Sequence, residues 1–201
     1  MNKIYFRTCP GCKPLAKHFA MRILAAIGLF LSIANLNGLQ AQLTGTKNIP
    51  GDYATLAAAI TDLNTQGVGA GGVTLNLVAG NPQTAPAGGY SITTITGTLA
   101  NPITLQGNSN VITTSAALTV GTLNDAVFKL IGADFVTISG FTMQENAANV
   151  VNTPAASNNM TEWGVAFLYA SATDGAQNNT ISNNTISLSR PVRIPESLGC
   201  A

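Results

Sequence analysis

Two eight-residue segments of this chain are versions of one another, and such a repeat confines the chain to a few architectures. Val136-Thr137-Ile138-Ser139-Gly140-Phe141-Thr142-Met143 aligns with Asn179-Thr180-Ile181-Ser182-Asn183-Asn184-Thr185-Ile186 at an offset of 43 residues. Each copy holds two short runs in which apolar side chains alternate with Thr or Ser, the period of a strand. In each, the central pair, Gly140-Phe141 or Asn183-Asn184, interrupts the alternation. A chain turning a corner between two short strands does this, because Gly and Asn tolerate the left-handed backbone of a tight corner. Asn recurring at equivalent corners can also stack into amide ladders. The pattern implies an all-β solenoid. With coils of roughly 20–25 residues, the offset spans two coils. An antiparallel sandwich of short strands is the competing architecture.

The remaining β-rich runs fit either architecture. They cover residues 73–78, 90–96, 103–107, 111–114, 127–130, 135–143, 164–169 and 180–186, rich in Thr, Ile and Val and separated by Gly, Asn and Pro. One segment differs in period. Leu56, Ala59, Ile60 and Leu63 fall at i, i+3, i+4 and i+7, which predicts a helix over residues 55–65. Asp52 or Thr55 supplies its N-cap, and Gly67, Gly69, Gly71 and Gly72 end it.

The N-terminus reads as a secretory signal. Basic residues precede a continuous apolar run over residues 23–34, followed by Asn35-Leu36-Asn37-Gly38 and a small-residue cleavage site at Ala41. A transmembrane anchor is the other reading, but spanning a bilayer takes about 20 apolar residues. The basic region is long, and Met21 would start a more ordinary signal, so residues 1–20 read as an extension from a misplaced start codon. The expected division is a signal peptide over residues 1–41, strands over residues 42–189 and an aberrant tail over residues 190–201. That tail brings Arg190, Pro191, Arg193, Pro195 and Cys200 into a chain otherwise written in Thr, Ile, Asn and Gly. A frameshift or truncation accounts for it, and a genuine short tail is the alternative.

Removing the signal changes what chemistry is available. Lys47, Lys129, Arg190 and Arg193 then face eight carboxylates, leaving a net charge of −4. That argues against a nucleic-acid partner, which calls for a basic surface. The only histidine, His18, lies in the signal, as does the Cys9-Pro10-Gly11-Cys12 pair, which resembles a redox motif but lacks its βαβ setting. The processed chain has neither a Ser-His-Asp nor a Cys-His mechanism, and Cys200 alone makes no internal disulfide.

The stretch from Gly51-Asp52-Tyr53 through Ile60, with Val73-Thr74-Leu75-Asn76-Leu77-Val78-Ala79-Gly80 after it, resembles the opening of pectin-lyase-like right-handed parallel β-helix proteins. Asn101-Pro102-Ile103-Thr104-Leu105-Gln106-Gly107 and residues 135–142 look like their coil segments. More narrowly, the chain is similar to large bacterial surface proteins that use type IX secretion. The resemblance covers residues 47–189. It implies a helix capping the first coil, an extracellular or outer-surface location, and no membrane segment after signal cleavage.

Enzymes of that superfamily use clustered carboxylates with calcium and a basic residue, or paired Asp with Gln and Arg. Neither pattern is visible: Asp125, Asp134, Glu145, Glu162 and Asp174 are dispersed along the chain. Lys129 sits between Phe128 and Leu130, so alternation points it outward. Trp163 and Tyr169 can stack on sugar rings or pack within an insertion. The Asn159, Asn178 and Asn183 sequons read as turn chemistry. No catalytic, cofactor or metal residue is assigned. Two functional classes remain: a structural or adhesive scaffold that contacts polysaccharide or cell-surface glycan, and a fragment of a polysaccharide lyase or pectinesterase-like enzyme.

Overall fold

The computed structural model describes residues 41–94, 97–116, 118, 125–149 and 160–188. The expected signal peptide, the misplaced start, the Cys9/Cys12 pair, His18, Asn159 and the tail lie outside these residues.

Thirteen strands and one helix make up the described chain: β1 (Leu43–Ile49), α1 (Leu56–Gln66), β2 (Val68–Leu77), β3 (Gln83–Thr84), β4 (Tyr90–Ile92), β5 (Ile103–Gln106), β6 (Val111–Thr113), β7 (Ala126–Ile131), β8 (Val136–Ser139), β9 (Thr142–Gln144), β10 (Trp163–Ser171), β11 (Asp174–Gly175), β12 (Thr180–Ser182) and β13 (Thr185–Ser187). They form three sheets, ordered β1-β2-β5-β8-β12, β3-β6-β9-β13 and β4-β7-β10-β11. Every pairing is parallel except the β10–β11 hairpin. From β2 onward the chain visits the three sheets in cyclic order, adding one strand to each per circuit, except that β11 follows β10 into the same sheet. The protein is therefore all-β with parallel sheets. The antiparallel sandwich is excluded, since Ile138 and Ile181 are partners in parallel strands.

The 43-residue offset is one circuit, not two. Thr137 pairs directly with Thr180, and Thr142 with Thr185. Earlier circuits are shorter: Gly45 pairs with Val73, Val73 with Ile103, and Ile103 with Val136. The last circuit is longer because extra residues are inserted on both sides of β10: 18 separate β9 from β10, against 12 between β6 and β7, and β11 follows β10 before β12. The expected corners are where the sequence placed them. Gly140, between β8 and β9, has φ 75°, and Asn183, between β12 and β13, has φ 53°.

In-register pairing stacks like on like. Val73, Ile103 and Val136 form one buried column, and Leu75, Leu105 and Ile138 another. On the outer face of the same sheet, Thr46, Thr74, Thr104, Thr137 and Thr180 are successive partners. Inside, Tyr90 stacks on Phe128 at 5.2 Å between ring centroids, and Phe128 tilts against Phe141 at the same distance. Corner asparagines join the circuits. Asn110 Nδ2 donates to the carbonyls of Leu77, Val78 and Gly107, and its Oδ1 accepts from the Asn81 N–H at 2.7 Å. Asn184 holds the last corner the same way, donating to the Ile138 carbonyl and accepting from the Phe141 N–H. A true amide ladder also runs Asn108–Asn76–Asn48, at 2.8 Å per step.

The helix buries Leu56, Ala59, Ile60 and Leu63, the four positions its period singles out. Thr55 is the N-cap, its Oγ1 accepting from the Ala58 N–H, while Asp52 accepts from the Asn48 N–H instead. Gly67 alone ends the helix, with φ 72°. Gly69, Gly71 and Gly72 belong to β2, where positive φ at Gly71 and Gly72 bends the strand start against Pro102. Asn64 donates to the Ser91 carbonyl and accepts from the Thr93 N–H, and the Leu56 N–H donates to Gln83; these bonds seat α1 on the β3 and β4 end of the stack.

Candidate functional site

Two features stand out from the repeating scaffold, and both belong to the insertion between β9 and β12. The first is a carboxylate group at its root. Of the five acids dispersed along the sequence, the fold brings Asp125, Glu145 and Glu162 near one another. Glu145 accepts from the Thr114 hydroxyl, the Asn149 amide, the Thr161 N–H and hydroxyl, and the Asn146 N–H. Its valences are thus occupied in tying the insertion to the end of β6. Asp125 and Glu162 bracket the start of β10 reciprocally: Glu162 Oε2 accepts from the Asp125 N–H, and the Asp125 carbonyl accepts from the N–H groups of Glu162 and Trp163.

The charges of this group are strained by their surroundings. Asp125 is 6% exposed, and its Oδ2 has no hydrogen-bond partner. Burial raises its pKa, Glu145 raises it further, and Lys129 opposes the shift. Burial likewise raises Glu162, with the charges of Asp125 and Glu145 adding to it and a hydrogen bond from the Asp125 backbone opposing. Lys129 lies between buried Phe128 and Leu130 and is itself half-buried, consistent with the outward orientation that alternation implies. Among the described residues, no three His, Cys, Asp or Glu side chains are arranged to hold a metal ion.

The second feature is the hairpin. The aromatic-rich face of β10 is not packed away within the insertion: Trp163 and Phe167 are half-exposed, and Tyr169 is 74% exposed. Phe167 and Tyr169, with Thr173, Gly175 and Gln177, line a cleft of about 440 Å³. The Tyr169 ring lies against Gly175. A Cβ there would stand 3.0 Å from Tyr169 Cε1 and 3.3 Å from Cδ1, so a side chain at this position would push the ring off the strand by a few tenths of an ångström. The hairpin is seated in turn on Gly132, where a Cβ would meet the Ala170 methyl at 2.6 Å and the Asp174 carboxylate at 3.1 Å. Asp134 and Asp174 stand apart from the carboxylate group, Asp134 accepting from the Gln177 N–H at 2.5 Å.

Sequence reasoning named Trp163 and Tyr169 but not the glycines that orient the hairpin or the hub role of Glu145. Gly132 and Gly175 look like any other turn glycine. Glu145 acquires partners only through contacts spanning 16 and 31 residues. A second cleft of about 510 Å³, lined by Leu99, Phe135, Asn178 and Thr180, flanks the five-strand sheet. Asn178 and Asn183 both adopt positive φ, as turn residues do. Comparison with protein-family models, curated proteins and solved structures returns no match to this chain.

Proposed function

We propose that this chain forms coils of a right-handed parallel β-helix, exported to the cell exterior, where it acts as a non-catalytic scaffold that touches glycan through the β10–β11 hairpin. Three parallel sheets visited in cyclic order, stacked apolar and threonine columns, and a helix over the first strands support the β-helix reading. The apolar run behind basic residues at the N-terminus supports export, the outer surface being the destination that the resemblance to type IX cargo implies.

The observation that carries the glycan reading is the Tyr169 ring, held on the Gly175 backbone with most of its surface open. An aromatic ring fixed this way loses little freedom when the C–H face of a sugar stacks on it. Thr173 and Gln177 line the same cleft as hydrogen-bonding groups for hydroxyls. That Glu145 is committed to five structural hydrogen bonds supports the non-catalytic reading.

Binding to pectin-like and other insoluble polysaccharides tests this. The chain is expected to be retained, and Tyr169→Ala to weaken retention about tenfold, the loss of roughly 1.4 kcal/mol of stacking. Retention unchanged in Tyr169→Ala would remove the hairpin from the site. Release of unsaturated oligosaccharides or methanol would overturn the non-catalytic reading.

A further inference from the structure

Phe135, at the corner before β8, is held in a conformation that costs it backbone energy, with φ 54°. A bulky side chain seldom adopts that left-handed backbone, and a strained residue persists only where its surroundings fix it. Both of its backbone groups are fixed: the N–H donates to the Gln177 carbonyl at 3.2 Å, and the carbonyl accepts from the Ile103 N–H at 3.0 Å. Following the register of β8 and β12 two residues back sets Phe135 beside Asn178, which has the same conformation, φ 55°, in a residue suited to it. The core does not account for the ring, since Phe135 is half-buried and stands outside the core cluster. It lines the cleft of about 510 Å³ together with Leu99, Thr137, Asn178 and Thr180. Leu99 is 83% exposed, yet its turn is firmly placed. Thr98 and Asn101 close that turn with paired hydrogen bonds, and the Gly71 N–H ties Asn101 to β2. The turn lies so near the corner that a Cβ on Gly97 would overlap the Asp134 carbonyl.

We propose that this cleft is a second glycan contact, so that the protein takes an extended, uncharged polysaccharide rather than a single sugar; the proposal rests on the hairpin reading above. Neighbouring residues join the two clefts, Gln177 lining the one at Tyr169 and Asn178 the one at Phe135. Each cleft is large enough to be a small-molecule site by itself, so one ligand that fills both must run across Gln177 and Asn178. Phe135 and Leu99 offer apolar surface to the C–H face of a sugar, and Thr137, Thr180 and Asn178 offer partners to its hydroxyls. No charged side chain lines either cleft, and Asp134 and Asp174, next to them in sequence, are both acidic. A uronate chain would therefore meet like charge with no basic partner. Thr137 alternates with buried Val136 and Ile138, which puts the cleft on the outer face of the five-strand sheet. A further circuit paired to β12 would lengthen that face and leave it open.

Calorimetric titration of the full chain with cello-, xylo- and manno-oligosaccharides, from the disaccharide upward, tests this, with polygalacturonate as the charged comparison. Affinity for at least one neutral series is expected to climb about tenfold with length, as the ligand reaches the second ring. Phe135→Asn, which places the residue of the next circuit at this corner, is expected to bring the longest chains down to the affinity of the shortest. The same variant is expected to unfold at a higher temperature, because the strain is gone. Leu99→Ser, on the exposed turn, is expected to act on long chains in the same direction and serves as the test should Phe135→Asn fail to fold. Affinity independent of length, or unchanged by both substitutions, overturns the second contact; if Tyr169→Ala still weakens binding, the hairpin reading stands. A lower unfolding temperature in Phe135→Asn overturns the strain argument by giving the ring a structural role. Tighter binding of polygalacturonate than of every neutral series overturns the uncharged ligand. No binding to any of these glycans, with no retention on insoluble polysaccharide, overturns both readings together.

Discussion

Single amides and carboxylates carry much of the specificity here. Asn110 is buried and satisfies three carbonyls and one N–H on two circuits. Asn110→Ala takes the side-chain partner from the Val78 carbonyl and the Asn81 N–H, while Asn108 still donates to the Leu77 carbonyl and the residue-110 N–H to that of Gly107, and is expected to cost about 2 kcal/mol in denaturant unfolding. Asn48→Ala, at the exposed end of the amide ladder, is expected to change stability by under about 0.5 kcal/mol. Equal effects would mean that the buried corner is not what locks the circuits. Asp125 and Glu162 predict a pH dependence. Both have folded-state pKa values above their unfolded ones, so the native state holds protons that the unfolded chain releases. Their contribution is therefore full below the unfolded carboxylate range and is lost as pH rises through the folded values. Asp125→Asn, which removes the buried charge, is expected to flatten the stability profile across that window and to raise stability at neutral pH by on the order of 1 kcal/mol. A steeper profile, or a loss at neutral pH, would contradict the assignment. That Asn and Gly mark corners was legible from their residue types. That Asp125 sits beside Glu145 and Glu162 was not, because nothing local links them.

At the level of elements, the helix and its buried face were legible. Its apolar period sets the buried face, and Thr55 is a strong capping residue at the right place. Thr55→Ala is expected to cost about 1 kcal/mol by thermal or denaturant unfolding. No loss would show that packing of Leu56, Ile60 and Leu63 suffices without the cap. What misled at its C-terminus was the glycine run. Four glycines in six residues read as a terminator, whereas three of them open β2 and let it pass close to Pro102. β1 escaped notice because a single strand ahead of a helix has no local partner; it becomes a strand by pairing with β2. The short β3 and β11 escaped for the same reason, with two residues each.

The whole molecule is held by columns that cross circuits, so damage in the middle is felt throughout. Phe128 touches Tyr90 and Phe141 and is fully buried. Phe128→Ala is expected to cost about 3–5 kcal/mol and to lower the midpoint of one cooperative transition. Two separate transitions would show that circuits on either side of Phe128 fold independently. The sequence by itself determined the class of structure: strands of period two, one amphipathic helix, and corners at Gly140 and Asn183. These follow from backbone and burial preferences that act within a few residues. It also pointed to the aromatic residues of β10, though not to their exposure. Only the tertiary structure decided that 43 residues make one circuit, that three distant carboxylates meet, and that Ile181 and Ile186 remain partly open. The reason is the same in each case. Parallel strand pairing and burial are settled between residues 25 to 43 positions apart, and the length of the intervening loop, which local preference does not constrain, sets which partners meet.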